Sequence, residues 1–171
     1  KSEDKNNKAQ HEYAMRMEDL ANRRQYFAGL IRQSATNNPT LNYVVRPHPC
    51  ADLRWWSETF WDLRNVYVIY RHNVEPWLHS AKAVISMGCT TGIQAIVAGT
   101  PVIEIKPEYS TVDANIGYAH KYTKFNVENL DQLENSIHLS LTDPGQCFEA
   151  RDLIESDWKN SLTNCASAVF A

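Results

Sequence analysis

The sequence predicts a doubly wound parallel α/β sheet, and three observations carry that prediction. Four or five short apolar runs alternate with segments of helical periodicity, the pattern of strands joined by crossover helices. One stretch, Ala83 to Ile105, reads as a complete strand, turn, helix and strand. The polar residues with chemistry to offer fall just after the apolar runs, the edge where open parallel sheets form their crevice.

Size and composition set the frame. At 171 residues the chain suits one domain with a sizeable core and is too short for two full α/β domains. A formal charge of -3 gives no global nucleic-acid signal. The charge is uneven: residues 1–72 carry 11 Lys and Arg against 8 Asp and Glu, whereas residues 73–171 carry 6 against 12. Side-chain cations for any anion site should therefore come from the earlier part. Cys50, Cys89, Cys147 and Cys165 show no CxxC pair, so neither a zinc site nor a disulfide framework is suggested. The six histidines have no ligand-like spacing, and no metal or cofactor is expected. The chain begins with Lys, and no apolar run approaches the roughly 20 residues of a spanning helix. A soluble fragment from a reducing, cytoplasmic setting is the expectation.

In order along the chain, residues 1–10 are charged and lack apolar anchors, so they are expected to be disordered or foreign to the domain that fills 11–171. From His11 a helix is predicted to about Ala35, with Tyr13, Met17, Leu20, Phe27, Leu30 and Ile31 near one face. Its arginines, Arg16, Arg23, Arg24 and Arg32, are expected in solvent. Asn42 to Arg46 reads as a buried strand running into Pro47-His48-Pro49. The two prolines restrict the backbone on both sides and hold the imidazole at the strand's carboxyl end. Leu53 to Leu63 is an aromatic-rich helix with Leu53, Trp56, Phe60 and Leu63 on one side, spacing that fits core packing better than base stacking. Val66 to Tyr70 is the next strand, followed by Arg71, His72 and Asn73.

A short helix opens at Glu75, with Pro76 suited to its first turn. The central unit follows, and after Ile105 a loop from Lys106 to Tyr109 borders the same edge. Residues 110–120 support at most a short helix. Phe125 and Val127 mark a last strand, Leu130 to Leu141 an amphipathic helix ending at Asp143-Pro144-Gly145, and Ile154, Trp158 and Leu162 a final helix.

The turn Gly88-Cys89-Thr90-Thr91-Gly92 is the main candidate for chemistry. The first amides of a helix lack intrahelical partners and lie at the positive end of its dipole, which suits an anion. Thr90 and Thr91 either add hydroxyl donors or cap the helix, and Gly88 and Gly92 leave room for a close approach to backbone. An ordinary βα turn with a Thr cap would share these residues. His48 and Arg46 make the anion reading the stronger one, with Arg71, His72, Asn73, Glu75 and Lys106 as further residues able to border the cleft.

Taken together, Val45-Arg46-Pro47-His48-Pro49, Glu75-Pro76-Trp77-Leu78 and Gly88-Cys89-Thr90-Thr91-Gly92-Ile93-Gln94-Ala95 resemble the C-terminal half of bacterial surface carbohydrate biosynthesis proteins. Those resemble GT-B glycosyltransferases and are similar, more distantly, to CMP-sugar transferases, CDP-glycerol polymer transferases and UDP-N-acetylglucosamine 2-epimerases. The resemblance covers residues 40–107. It implies a Rossmann-like domain forming one half of a GT-B architecture, with the acceptor-binding half absent. His48 would contact the nucleotide phosphate, Arg46 would support that charge, and Gly88, Cys89, Thr90, Thr91 and Gly92 would cradle it. Gln94 stands where the family pattern has Glu, at a position related to ribose binding. The partners implied are a nucleotide-sugar donor, with CMP-sugar the first choice, and a glycan or glycolipid acceptor held by the missing domain. No nucleic-acid partner is implied; the full-length protein would be cytoplasmic or peripheral to the cytoplasmic face of the inner membrane. An epimerase-like or CDP-glycerol-type enzyme, and a noncatalytic binding or assembly domain, stay open as alternatives.

Overall fold

The computed structural model describes residues 2–106, 118–147, 154 and 156. These form an α/β structure with parallel strands, in two compact units: residues 2–72, and the remainder from residue 73 onward. The sequence pattern suggested a doubly wound parallel sheet; the described strands pair in two small parallel sheets, one in each unit.

The first unit runs α1 (Ser2–Asn37), β1 (Tyr43–Val45), α2 (Leu53–Phe60) and β2 (Val66–Val68). β1 and β2 are parallel, with Tyr43 opposite Val66 and Val45 opposite Val68. Asn65 fastens α1 to this sheet, its side-chain amide donating to the carbonyls of Ala35 (2.9 Å) and Leu41 (3.0 Å) while its own carbonyl accepts from the Tyr43 amide (2.8 Å). The buried hydroxyls of Ser34 and Tyr43 meet at 2.9 Å. These bonds favour a single strand register, since a slip would orphan several polar groups at once. Ala28, Leu30, Ile31 and Ala35 of α1 are buried, as are Trp56 and Phe60 of α2.

Helix α1 departs from expectation at its start, which is Ser2 rather than about His11. Residues 2–10 hold no Gly, Pro or β-branched residue to interrupt a helix. Tyr13, Met17 and Leu20, assigned to its apolar face by spacing, are exposed. Three of its arginines are engaged rather than free in solvent. Arg23 is 4 % exposed and lies 2.7 Å from Asp19. Arg24 covers the Trp55 ring at 4.1 Å, a cation–π contact. Arg32 forks onto Asp62, Nη1 to Oδ1 at 2.8 Å and Nη2 to Oδ2, and reaches the Thr59 carbonyl at 2.7 Å. The hydrogen bonds from Arg32 hold the Asp62 carboxyl below the usual carboxylate range. The α2 face is shorter than its spacing suggested, because Leu53 is exposed while Asp52 caps the helix by accepting from the amides of Arg54 (3.0 Å) and Trp55 (3.3 Å).

The second unit runs α3 (Glu75–Ser80), β3 (Val84–Ser86), α4 (Thr90–Val97), β4 (Val102–Ile105), a 3-10 turn (Tyr118–Lys121), β5 (Phe125–Val127), α5 (Leu130–Thr142) and a second 3-10 turn (Pro144–Cys147). The sheet order is β3-β4-β5, all parallel, with Ser86 opposite Glu104 and Glu104 opposite Asn126. The central strand β4 is buried along its whole length. Leu78, Ala95, Ile96, Val102, Ala119 and Ile154 form its core cluster. Ile154 is helical, as its spacing suggested; Trp158, Leu162 and the loop residues Pro107, Glu108 and Tyr109 lie outside the described residues. Among the described residues no helix is long and apolar enough to cross a membrane.

Candidate functional site

The expected site residues gather at strand ends in two clusters, one in each unit. In the first, Arg46 follows β1 and its guanidinium donates to two carbonyls beyond β2, Nη1 to Arg71 (2.9 Å) and Nη2 to His72 (3.0 Å). That fork holds His72 in the left-handed region, at φ 64°, a conformation that costs a residue with a Cβ about 1–2 kcal/mol. Arg46 therefore organises the loop after β2, a use of its charge that local sequence does not reveal. His48 is exposed, and its Nδ1 accepts from the Cys50 amide at 3.2 Å while its carbonyl accepts from Ala51 (2.8 Å). With Nδ1 an acceptor, the imidazole proton sits on Nε2, which becomes an outward donor. The flanking prolines restrict the backbone, but it is the Cys50 amide that fixes the ring.

In the second cluster, β3 ends at Ser86 and the chain turns through Gly88, at φ 69°, into α4. A left-handed φ is what makes glycine necessary at this position. Cys89 is the N-cap of α4 and gives no side-chain cap to its amides. Its thiol instead donates to Thr91 Oγ1 at 3.3 Å, so that hydroxyl keeps its own proton to donate elsewhere. Thr90 and Cys89 are exposed, as is Gln94 one turn into the helix. Lys106, also exposed, follows β4 and donates its amide to Val127 (2.8 Å). Asn73 and Glu75 lie exposed at the start of the unit, Glu75 in the first turn of α3.

Gly92 has a second explanation. A Cβ there would lie 2.7 Å from the Ala119 Cβ and 3.3 Å from Ser86 Oγ. Its missing side chain lets α4 seat against the 3-10 turn and β3, whatever a ligand requires.

Sequence reasoning missed two residues, Glu104 and Ser86. Glu104 sits in the middle of the buried strand, 1 % exposed, and its Oε1 accepts from the Gly88 amide. One amide of the supposed phosphate cradle is thus already engaged by a carboxyl of the protein. Its Oε2 and the hydroxyl of Ser86 are both buried with no hydrogen-bond partner. Burial pushes the Glu104 carboxyl above its ordinary value, against the opposing pulls of the Gly88 amide, His120 and Lys106. The available signal was a charged residue inside an otherwise apolar run, which an ordinary buried strand avoids.

Among the described residues no group of three or more His, Cys, Asp or Glu side chains could hold a metal ion. The chemistry on offer is donation to an anion, by an N-terminal helix turn with two threonines in one unit and by an imidazole N–H in the other. No protein-family model matches the chain, and no curated protein matches it.

Proposed function

We propose that this chain is the Rossmann-like, donor-nucleotide-binding half of a GT-B-type glycosyltransferase, working in the cytoplasm or at the inner face of the membrane on a surface polysaccharide or lipopolysaccharide acceptor. The observation that carries the reading is the entry to α4: a left-handed glycine after a parallel strand, then helix amides without a side-chain cap, flanked by two threonine hydroxyls. Such a turn is suited to a phosphate, and donors fixed in advance would stabilise a departing nucleotide as negative charge builds on it. In this reading Thr90, Thr91 and the first α4 amides bind phosphate, and Gln94 offers an uncharged amide to ribose hydroxyls. The donor is a nucleotide sugar, CMP-linked by preference, and no cofactor is needed.

Glu104 favours a second reading, a noncatalytic binding or assembly domain. A carboxyl bonded to Gly88 puts potential negative charge directly behind the turn, which weakens anion binding whenever it ionises.

Isothermal calorimetry with CMP, CDP and UDP separates the two. Selective cytidine-nucleotide binding, lowered about tenfold or more in Thr91→Ala, supports the transferase half. A folded chain that binds none of the three nucleotides overturns it.

A further inference from the structure

Glu104 is the one buried carboxyl of the described residues that the proposed function leaves without a task. Its Oε1 is held by the amide of Gly88, the residue whose left-handed backbone aims the chain into α4. Its Oε2 and Ser86 Oγ are orphaned side by side on neighbouring strands, both residues more than nine-tenths buried. A buried polar atom without a partner costs about 1–3 kcal/mol. A hydrogen bond between the two removes both deficits and leaves Oε1 accepting from Gly88; it can run from a protonated Oε2 to Ser86 Oγ or from the hydroxyl to an ionised Oε2, and burial favours the proton on Oε2. The same proton removes a buried negative charge that no adjacent cation neutralises: among the described residues, Lys106 at the end of β4 and His120 on the 3-10 turn act on it only through space. The neighbouring strands contribute no titratable partner in register, only Ser86 from β3 and Asn126 from β5.

We propose that Glu104 is the positioning residue of the β3–α4 turn, a protonated carboxyl that fixes Gly88 through Oε1 and closes on Ser86 through Oε2–H, and that loss of this proton weakens the turn's hold on an anion. The hold on Gly88 stands on its hydrogen bond to the buried carboxyl; the anion half rests on the phosphate reading of the turn. By linkage, an anion that binds the protonated form tenfold better raises the carboxyl's midpoint by about one pH unit when it saturates the site.

The test follows the Gly88 amide and the Glu104 side-chain carboxyl carbon by NMR on the whole chain, from about pH 4 to about pH 9, a window that spans the ordinary glutamate value. In the wild type both signals should titrate together, with a midpoint above that of an exposed glutamate. In Glu104→Gln, which keeps the acceptor at Oε1 and places an N–H toward Ser86, the Gly88 signal should stay flat at the protonated-form position. Ser86→Ala should lower the midpoint, because the protonated form loses its acceptor. A hydroxyl that instead donated to a charged carboxylate would make the same variant raise it. A Gly88 amide that does not titrate, a titration that persists in Glu104→Gln, or a midpoint raised by Ser86→Ala each overturns the proposal. Inorganic phosphate is added last. If Gly88 titrates as described but phosphate moves neither the midpoint nor any amide of residues 88–92, the phosphate reading fails and the positioning role of Glu104 stands.

Discussion

At the scale of single residues, the turn at the head of α4 shows how one small side chain can serve two masters. Gly92 looks like a residue chosen for close ligand approach, yet the atoms nearest its absent Cβ belong to Ala119 and Ser86. The distances decide between these accounts. At 2.7 Å from the Ala119 Cβ, an added methyl is inside van der Waals contact, and the obstacle is another short side chain with no torsion to yield. Gly92→Ala should therefore destabilise the chain by about 1–3 kcal/mol, the usual cost of overpacking. Pairing it with Ala119→Gly removes the clash and should restore much of the loss, minus about 0.5–1 kcal/mol for glycine's backbone entropy. Urea denaturation of the two variants and the double variant checks this. If Gly92→Ala keeps wild-type stability, α4 has room to move and the packing account is wrong.

At the scale of elements, the ends of β1, β2 and β3 are tied down by residues distant in sequence, and this limits what could be read in advance. The strands themselves were legible: Val-rich or Ile-rich runs bounded by Pro, Gly or Asn appear within two residues of their expected positions. Helix periodicity was a weaker guide, because spacing identifies an apolar stripe without saying that anything packs against it. Tyr13, Met17 and Leu20 keep the spacing and are exposed, while Arg23, which shares that face with Leu20, Phe27 and Leu30, is buried beside Asp19. The Arg46 fork was beyond reach of any local pattern, since its acceptors are backbone carbonyls 25 and 26 residues away. Glu104 was visible as a charge in a strand, but its partner, the Gly88 amide, carries no side-chain signature. The fork makes its own prediction. Arg46→Lys keeps the charge but not two donors in a fixed plane, so the loop after β2 should loosen, with faster amide exchange at residues 69–73 and about 1–3 kcal/mol of lost stability. Adding His72→Gly removes the left-handed penalty that the fork helps to bear and should recover part of that loss. If His72→Gly gives no recovery in the Arg46→Lys background, the guanidinium is not what holds His72 in place.

At the scale of the whole molecule, charge supplies a test of which donors hold an anion. Residues 73–171 carry twice as many acidic as basic side chains, 12 against 6, whereas residues 1–72 are net basic. The donors proposed for phosphate are uncharged: helix amides and threonine hydroxyls. An anion held by neutral dipoles within an acidic stretch is repelled at long range and attracted only at contact. Salt shortens the range of the repulsion, from a Debye length of about 30 Å at about 0.01 M to about 3 Å at about 1 M, and leaves the short contacts largely intact. CMP affinity should therefore hold steady or rise as salt is added, the reverse of what a cluster of free arginines and lysines would give. Calorimetric titrations at three ionic strengths, with a salt whose anion does not itself compete, measure this directly. A steep fall in affinity would mean that charged side chains supply most of the binding, and the uncapped end of α4 would lose its place as the phosphate site.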